Sequence, residues 1–208
     1  MDPTNGLIYI ENVKNALIAL DPGNKDIYEF NYGLYRQQLE DLDRYIRQAI
    51  SGIPEQRRIL ITSHDAFRYY GKRYGIDVQA ILGTSTDADA QTSDIVRLNR
   101  IIQESGIPAV FIETTVNPKL LQQIATDNHI AIGGKLYSDS IGDKNSPAPT
   151  YLDMLRYNTD TIVAALSRER PPADPATTPA GGGNLGLFIV LGLLLVSGFI
   201  FMAAKLNR

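Results

Sequence analysis

The chain of 208 residues contains no cysteine and only two histidines. Without cysteine there is no disulfide, no thiolate zinc centre and no cysteine nucleophile, and the redox compartment stays open. The N-terminal stretch Met1-Asp2-Pro3-Thr4-Asn5-Gly6 lacks the basic and apolar regions of a secretory signal. No Gly-x-Ser-x-Gly elbow occurs, and Gly83-Thr84-Ser85-Thr86 and Gly133-Gly134-Lys135 lack the spacing of a phosphate-binding loop. Ser63-His64-Asp65 has the letters of a hydrolytic triad, but three adjacent residues cannot align as nucleophile, base and orienting group. The expectation is a protein that is not an enzyme. The formal charge is −3, and the tail adds Lys205 and Arg208 without an acid, so the body before it is more acidic still. An acidic body argues against nucleic acid as a partner.

Charge is also missing from residues 185–204, an apolar run from Leu185 to Ala204. About 20 helical residues cross a hydrocarbon core of about 30 Å, so this run is expected to be a transmembrane helix. Lys205 and Arg208 follow it closely while Arg168 and Arg170 lie well before it. That bias puts the C-terminus in the cytoplasm and the body outside, facing the periplasm or the cell exterior. Residues 169–184, rich in Pro, Ala and Gly, cannot build a core and read as a linker.

Two periodicities fill the rest. Tyr28, Tyr32, Tyr35, Leu39, Leu42, Ile46 and Ala49 recur at alternating steps of four and three, which predicts one long amphipathic helix ended by Gly52, Ile53 and Pro54. A shorter helix is expected over residues 8–20, before Asp21-Pro22-Gly23. From there, short apolar runs at 58–62, 78–82, 109–112 and 130–132 alternate with helical stretches near 65–74, 91–105, 117–127 and 149–167. This alternation predicts an α/β lobe, a parallel sheet with helices on both faces, behind a long spine helix. The expected domains are residues 1–54 with the spine helix, 55–168 as the α/β lobe, the 169–184 linker and the 185–204 span.

In a parallel sheet, ligands bind beyond the carboxyl ends of the strands. His64 follows the first strand, Glu113 ends the third and Asp139 follows the fourth. Imidazole and carboxylate together suit zinc, manganese and related ions, with Glu113 either a ligand or a hydrogen-bonding support. Each residue also has an ordinary explanation. His64 could be a hydrogen-bonded structural residue, Asp65 a first-turn acid and Asp139 a turn or N-cap residue. His129 reads as a surface loop residue, and Tyr69, Tyr70 and Tyr74, at helical spacing, as packing against the sheet.

The ordered set Thr62-Ser63-His64-Asp65-Ala66-Phe67, Tyr69 and Tyr74-Gly75, Pro108-Ala109-Val110-Phe111-Ile112-Glu113, Leu136-Tyr137-Ser138-Asp139-Ser140-Ile141-Gly142 and Tyr151 with Met154 and Tyr157-Asn158 resembles the C-terminal lobe of zinc/manganese ABC-transporter solute-binding proteins, which include adhesin-like lipoproteins. The resemblance runs from about Asp2 to Leu166. It implies two α/β lobes joined by a rigid helix, here residues 25–51, with one ion held between them by four protein ligands. By motif His64 matches the third ligand, a position that is glutamate in other members, Asp139 the fourth, and Glu113 an acid beside the site.

The first two ligands of that family are histidines of an N-terminal lobe that these residues do not match. The resemblance therefore implies that half of the coordination sphere comes from a missing N-terminal lobe or from self-association. It makes Met1 either an internal methionine of a longer reading frame or the start of a split or decayed receptor. The implied function is capture of a divalent cation, zinc in preference to manganese given the imidazole at position 64, for delivery to an ABC permease. The alternative is a degenerate, membrane-anchored adhesin or partner-binding module that no longer transports.

Overall fold

The computed structural model describes residues 1–83 and 90–169. The transmembrane run and all of the linker but its first residue lie outside the described residues. Among the described residues, no helix is long and apolar enough to cross a membrane.

Helices α1 (Pro3–Leu20) and α2 (Lys25–Ser51) form a hairpin around a turn at Pro22–Asn24. α1 begins five residues earlier than the apolar pattern predicts, because Asp2 caps it by accepting from Thr4 N at 2.8 Å and Pro3 is preorganised for a first helical position. The stripe on α2 is buried only along its second half, at Leu39, Leu42, Ile46 and Ile50. At its C-terminus Arg58 reaches back and donates to the carbonyls of Ile53 and Ser51. That contact satisfies backbone groups left free at the helix end.

The lobe then alternates β1 (Ile59–Thr62), α3 (Arg68–Tyr74), β2 (Asp77–Ala80), α4 (Thr92–Ser105), β3 (Ala109–Glu113), α5 (Lys119–Asp127), β4 (Ala131–Leu136) and α6 (Tyr151–Leu166). β1 pairs with β2 and β3 with β4, both parallel, and β1 lies against β3. Side chains of successive strand residues point to opposite faces, which splits the core in two. Leu60 and Phe111 join α2, α3 and α6 on one face, while Ile61 and Val110 join α4 and α5 on the other. This is the expected α/β architecture, with helices on both faces of parallel strands.

Three local departures have physical causes. β4 runs four residues further than its apolar run, through Gly133 and Gly134, which are poor strand formers but allow close contact. A Cβ on Gly133 would lie 2.7 Å from both Ala165 Cβ and Phe111 Cε1, so only glycine lets α6 press this closely on the strand. α3 starts at Arg68, not near 65, and Asp65 is therefore not a first-turn acid of that helix. Its carboxylate instead pairs with Arg68. Tyr70 and Tyr74 are buried as expected, but Tyr69 is exposed, since its step along α3 turns it away from the sheet.

Candidate metal centre

β1, β3 and β4, from two parallel strand pairs lying side by side, deliver His64, Glu113 and Asp139 to one rim. Adjacency of β1 and β3 brings residues 49 apart in sequence into contact: His64 N donates to Glu113 Oε1 at 2.9 Å. Glu113 Oε2 lies 2.7 Å from His64 Nδ1. That second contact is close but not aligned as a hydrogen bond, so both atoms, with Ser63 Oγ, are buried without a hydrogen-bond partner. The short distance is the physically informative quantity, because a buried carboxylate this near an imidazole nitrogen fixes the orientation of the ring. The His64 carbonyl is held as well, by donation from Thr62 Oγ1 at 2.9 Å.

The other ring nitrogen, Nε2, faces Asp139 Oδ2 at 2.8 Å. The two carboxylates thus sit on opposite edges of one imidazole and cannot converge on the same point. His64 is 2% exposed, whereas the Asp139 side chain is 63% exposed. Glu113 approaches from the protein interior and Asp139 from the open side. Asp139 has φ +54°, a left-handed conformation that aspartate tolerates better than most residues but that still costs about 1–3 kcal/mol unless its surroundings enforce it. It is therefore a constrained loop residue and not a helix cap. Among the described residues, no group of three or more His, Asp or Glu side chains could hold an ion alone.

The open side is a cleft of about 790 Å³ bordered by Asp139, Ser140, Tyr69 and Tyr151 and, from the helical hairpin, by Tyr9 and Tyr35. Burial pushes the Tyr151 hydroxyl up to about 12, so it stays neutral. The sequence pattern places Tyr35 only in the apolar stripe of α2 and does not single out Tyr9, because nothing local to α1 or α2 marks either as lining this cleft. Asn158, whose amide bonds the backbone of Tyr137, has no role assigned by the sequence beyond its place in Tyr157-Asn158. Its one signal is a polar, weak helix-former that, beside Thr159, interrupts the apolar helix face between Leu155 and Ile162. His129 is exposed, with φ +51°, and takes no part.

The donor types and geometry admit a divalent cation with a small movement. Ligand distances near 2.1 Å in a tetrahedral shell would set Nε2 and Oδ2 about 3.4 Å apart. The observed pair, at 2.8 Å, needs to open by about 0.6 Å, and Asp139 is the exposed partner.

Comparison with known proteins gives this geometry a context. Residues 1–165 match the family described as zinc-uptake complex component A, periplasmic. The chain is 35% identical over 168 residues to the manganese-binding lipoprotein MntA of Halalkalibacterium halodurans, covering 81% of this chain and 56% of that protein. It is 37% identical over 164 residues to the zinc-binding protein TroA of Treponema pallidum, covering 76% of this chain and 53% of TroA. The solved structure of the periplasmic zinc-binding protein TroA superposes with a TM-score of 0.77 at 35% identity, over 80% of this chain and 62% of that one. The chain spans about half the length of the curated relatives it matches.

Proposed function

This chain belongs to the zinc-uptake complex component A family, and on that premise we propose that it captures a divalent metal ion outside the cytoplasm and delivers it to an ABC-type permease. The observation that carries the proposal is the His64 Nε2 to Asp139 Oδ2 contact of 2.8 Å, at the mouth of an open cleft, with Glu113 behind the ring. Glu113, 2.7 Å from Nδ1, orients the ring so that Nε2 is the nitrogen presented to an ion, as a carboxylate beside a ligating histidine does. His64 and Asp139 are the metal ligands in this reading and Glu113 the residue that orients His64. An exposed carboxylate opposite a buried imidazole suits a carrier that must release its cargo. No bond chemistry is needed.

Zinc is the preferred ion because an imidazole ligand suits it better than it suits manganese. The relatives are named for both metals, which leaves that preference to the residues of this site. Two donors make an open shell, to be completed by water or by donors on a further lobe or a second copy facing the cleft. An exposed apolar face favours such a cover: Ile8, Tyr9, Val13 and Leu20 on α1 and Ile27, Phe30 and Leu34 on α2. The uncharged run 185–204 would tether the body to the membrane, beside the permease it supplies.

Titration calorimetry of the full chain in detergent with zinc and manganese tests this reading. Binding at micromolar or tighter Kd, stronger for zinc and lost in both His64→Ala and Asp139→Ala, is expected. Folded wild-type protein that binds neither ion would overturn it.

A further inference from the structure

We infer that Asn158 is a positioning residue for the metal site, holding the backbone of Tyr137 so that Asp139 is presented to His64; this rests on the metal-capture reading above. Asn158 lies on α6, is 0% exposed and does not approach the ion's position itself. Its Oδ1 accepts from Tyr137 N at 2.9 Å and its Nδ2 donates to Tyr137 O at 2.8 Å. Because a backbone N–H can only donate and a carbonyl only accept, this double bond fixes which way the amide faces. The side chain thereby takes the place of a neighbouring strand at the residue just after β4 ends. Nδ2 also approaches Met1 Sδ at 3.7 Å, a weaker contact.

The rest of the loop is tied from the other side. Ser138 N donates to Thr114 Oγ1 at 3.4 Å, and the hydroxyls of Ser138 and Thr115 are 3.0 Å apart. Thr114 N donates to Leu136 O at 2.9 Å. The segment after β3 and α6 therefore grip residues 136–138 from two directions, immediately before a residue in a left-handed conformation. A conformation that costs free energy persists when its surroundings leave no alternative, and here the constraints converge on the residue that faces His64 Nε2. Asn158 can reach the strand because α6 lies so close over Gly133 and Gly134, where a Cβ would collide with Ala165 and Thr161. A buried asparagine on an apolar helix face is costly unless both halves of its amide are used. Here both halves are spent on one residue of the site-bearing loop.

The test compares Asn158→Ala with Ile162→Val, a control that loosens the same helix in the core without removing a hydrogen bond to Tyr137. It uses the full chain in detergent, with two readouts. Without metal, ¹⁵N NMR of the His64 ring and of the Asp139 amide reports on their contact. With zinc, calorimetry reports affinity. Shifted His64 and Asp139 signals in Asn158→Ala but not in Ile162→Val, with zinc affinity weakened about 10–100-fold only in the former, are expected. Asn158→Asp, which keeps the acceptor and loses the donor, should fall between wild type and alanine, and it decides the matter if the alanine variant does not fold. Unmoved His64 and Asp139 signals in a folded Asn158 variant would overturn the inference. A wild-type chain that binds no zinc would instead overturn the metal-capture reading, while the metal-free spectra still decide the role of Asn158.

Discussion

Glu113 holds His64 at two points, accepting from its backbone N at 2.9 Å and lying 2.7 Å from its Nδ1. Ring and main chain are thus fixed by one buried carboxylate, and Nε2 is turned to Asp139. Glu113→Gln should therefore weaken zinc affinity by about 10–100-fold through misorientation of the ring. Competition titration against a chelator of known affinity measures the change. Equal affinity for a folded Glu113→Gln variant would show that the ring is oriented by other contacts.

The close contact between β4 and α6 should be sensitive to a single methyl group. Gly133→Ala places Cβ 2.7 Å from Ala165 Cβ and Phe111 Cε1, both in well-packed surroundings. A loss of about 1–3 kcal/mol in denaturant unfolding is expected, as for other overpacked cores. Gly33→Ala, where among the described residues a Cβ would meet nothing within 4 Å, is the comparison and should not destabilise.

Acid sensitivity should be concentrated at the junction of α2 and α3. Burial of Asp43 opposes its ionisation, yet the hydrogen bonds from Arg73, at 2.6 and 2.7 Å, and from Tyr74 outweigh it and hold the carboxyl below its ordinary value. A depressed pKa means that the unfolded chain takes up the proton first as pH falls. The stabilisation is complete above the unfolded value near 4 and is lost as pH drops through the folded value. Asp43→Asn should lower Tm at pH 7, and its gap from wild type should narrow at pH below about 4. Thermal melts at the two pH values check this, and a gap that stays constant would remove the ion pair as its cause.

The apolar face of the hairpin should govern association and not folding. Leu20 is 84% exposed and Phe30 66% exposed. The double variant Leu20→Lys with Phe30→Lys should unfold within about 0.5 kcal/mol of wild type, as surface changes do. It should also self-associate less in sedimentation velocity. Ile46→Ala, in the buried half of α2, should by contrast cost about 2–5 kcal/mol. A large stability loss in the lysine variant would mean that this face is already covered by the chain itself.

The α/β alternation, the long helix ending at Ser51 and the placement of His64, Glu113 and Asp139 at strand ends were all legible from local pattern, because hydrophobic period and turn residues act over a few positions. β4 was read too short because a Gly-Gly pair is a poor strand on its own. Its stability comes from α6 lying against it. The same limit applied at the site. Which ring nitrogen of His64 faces outward, that Glu113 stands behind the ring while Asp139 stands before it, that Asp139 is left-handed and that Asn158 grips its loop were decided only in three dimensions. These pairs are 49 and 75 residues apart, and no local propensity relates them. Composition and periodicity determined that this chain builds parallel strands with polar residues at their ends. The order of those strands and the close seating of α6 decided how the residues meet, since distances between remote side chains are set by packing.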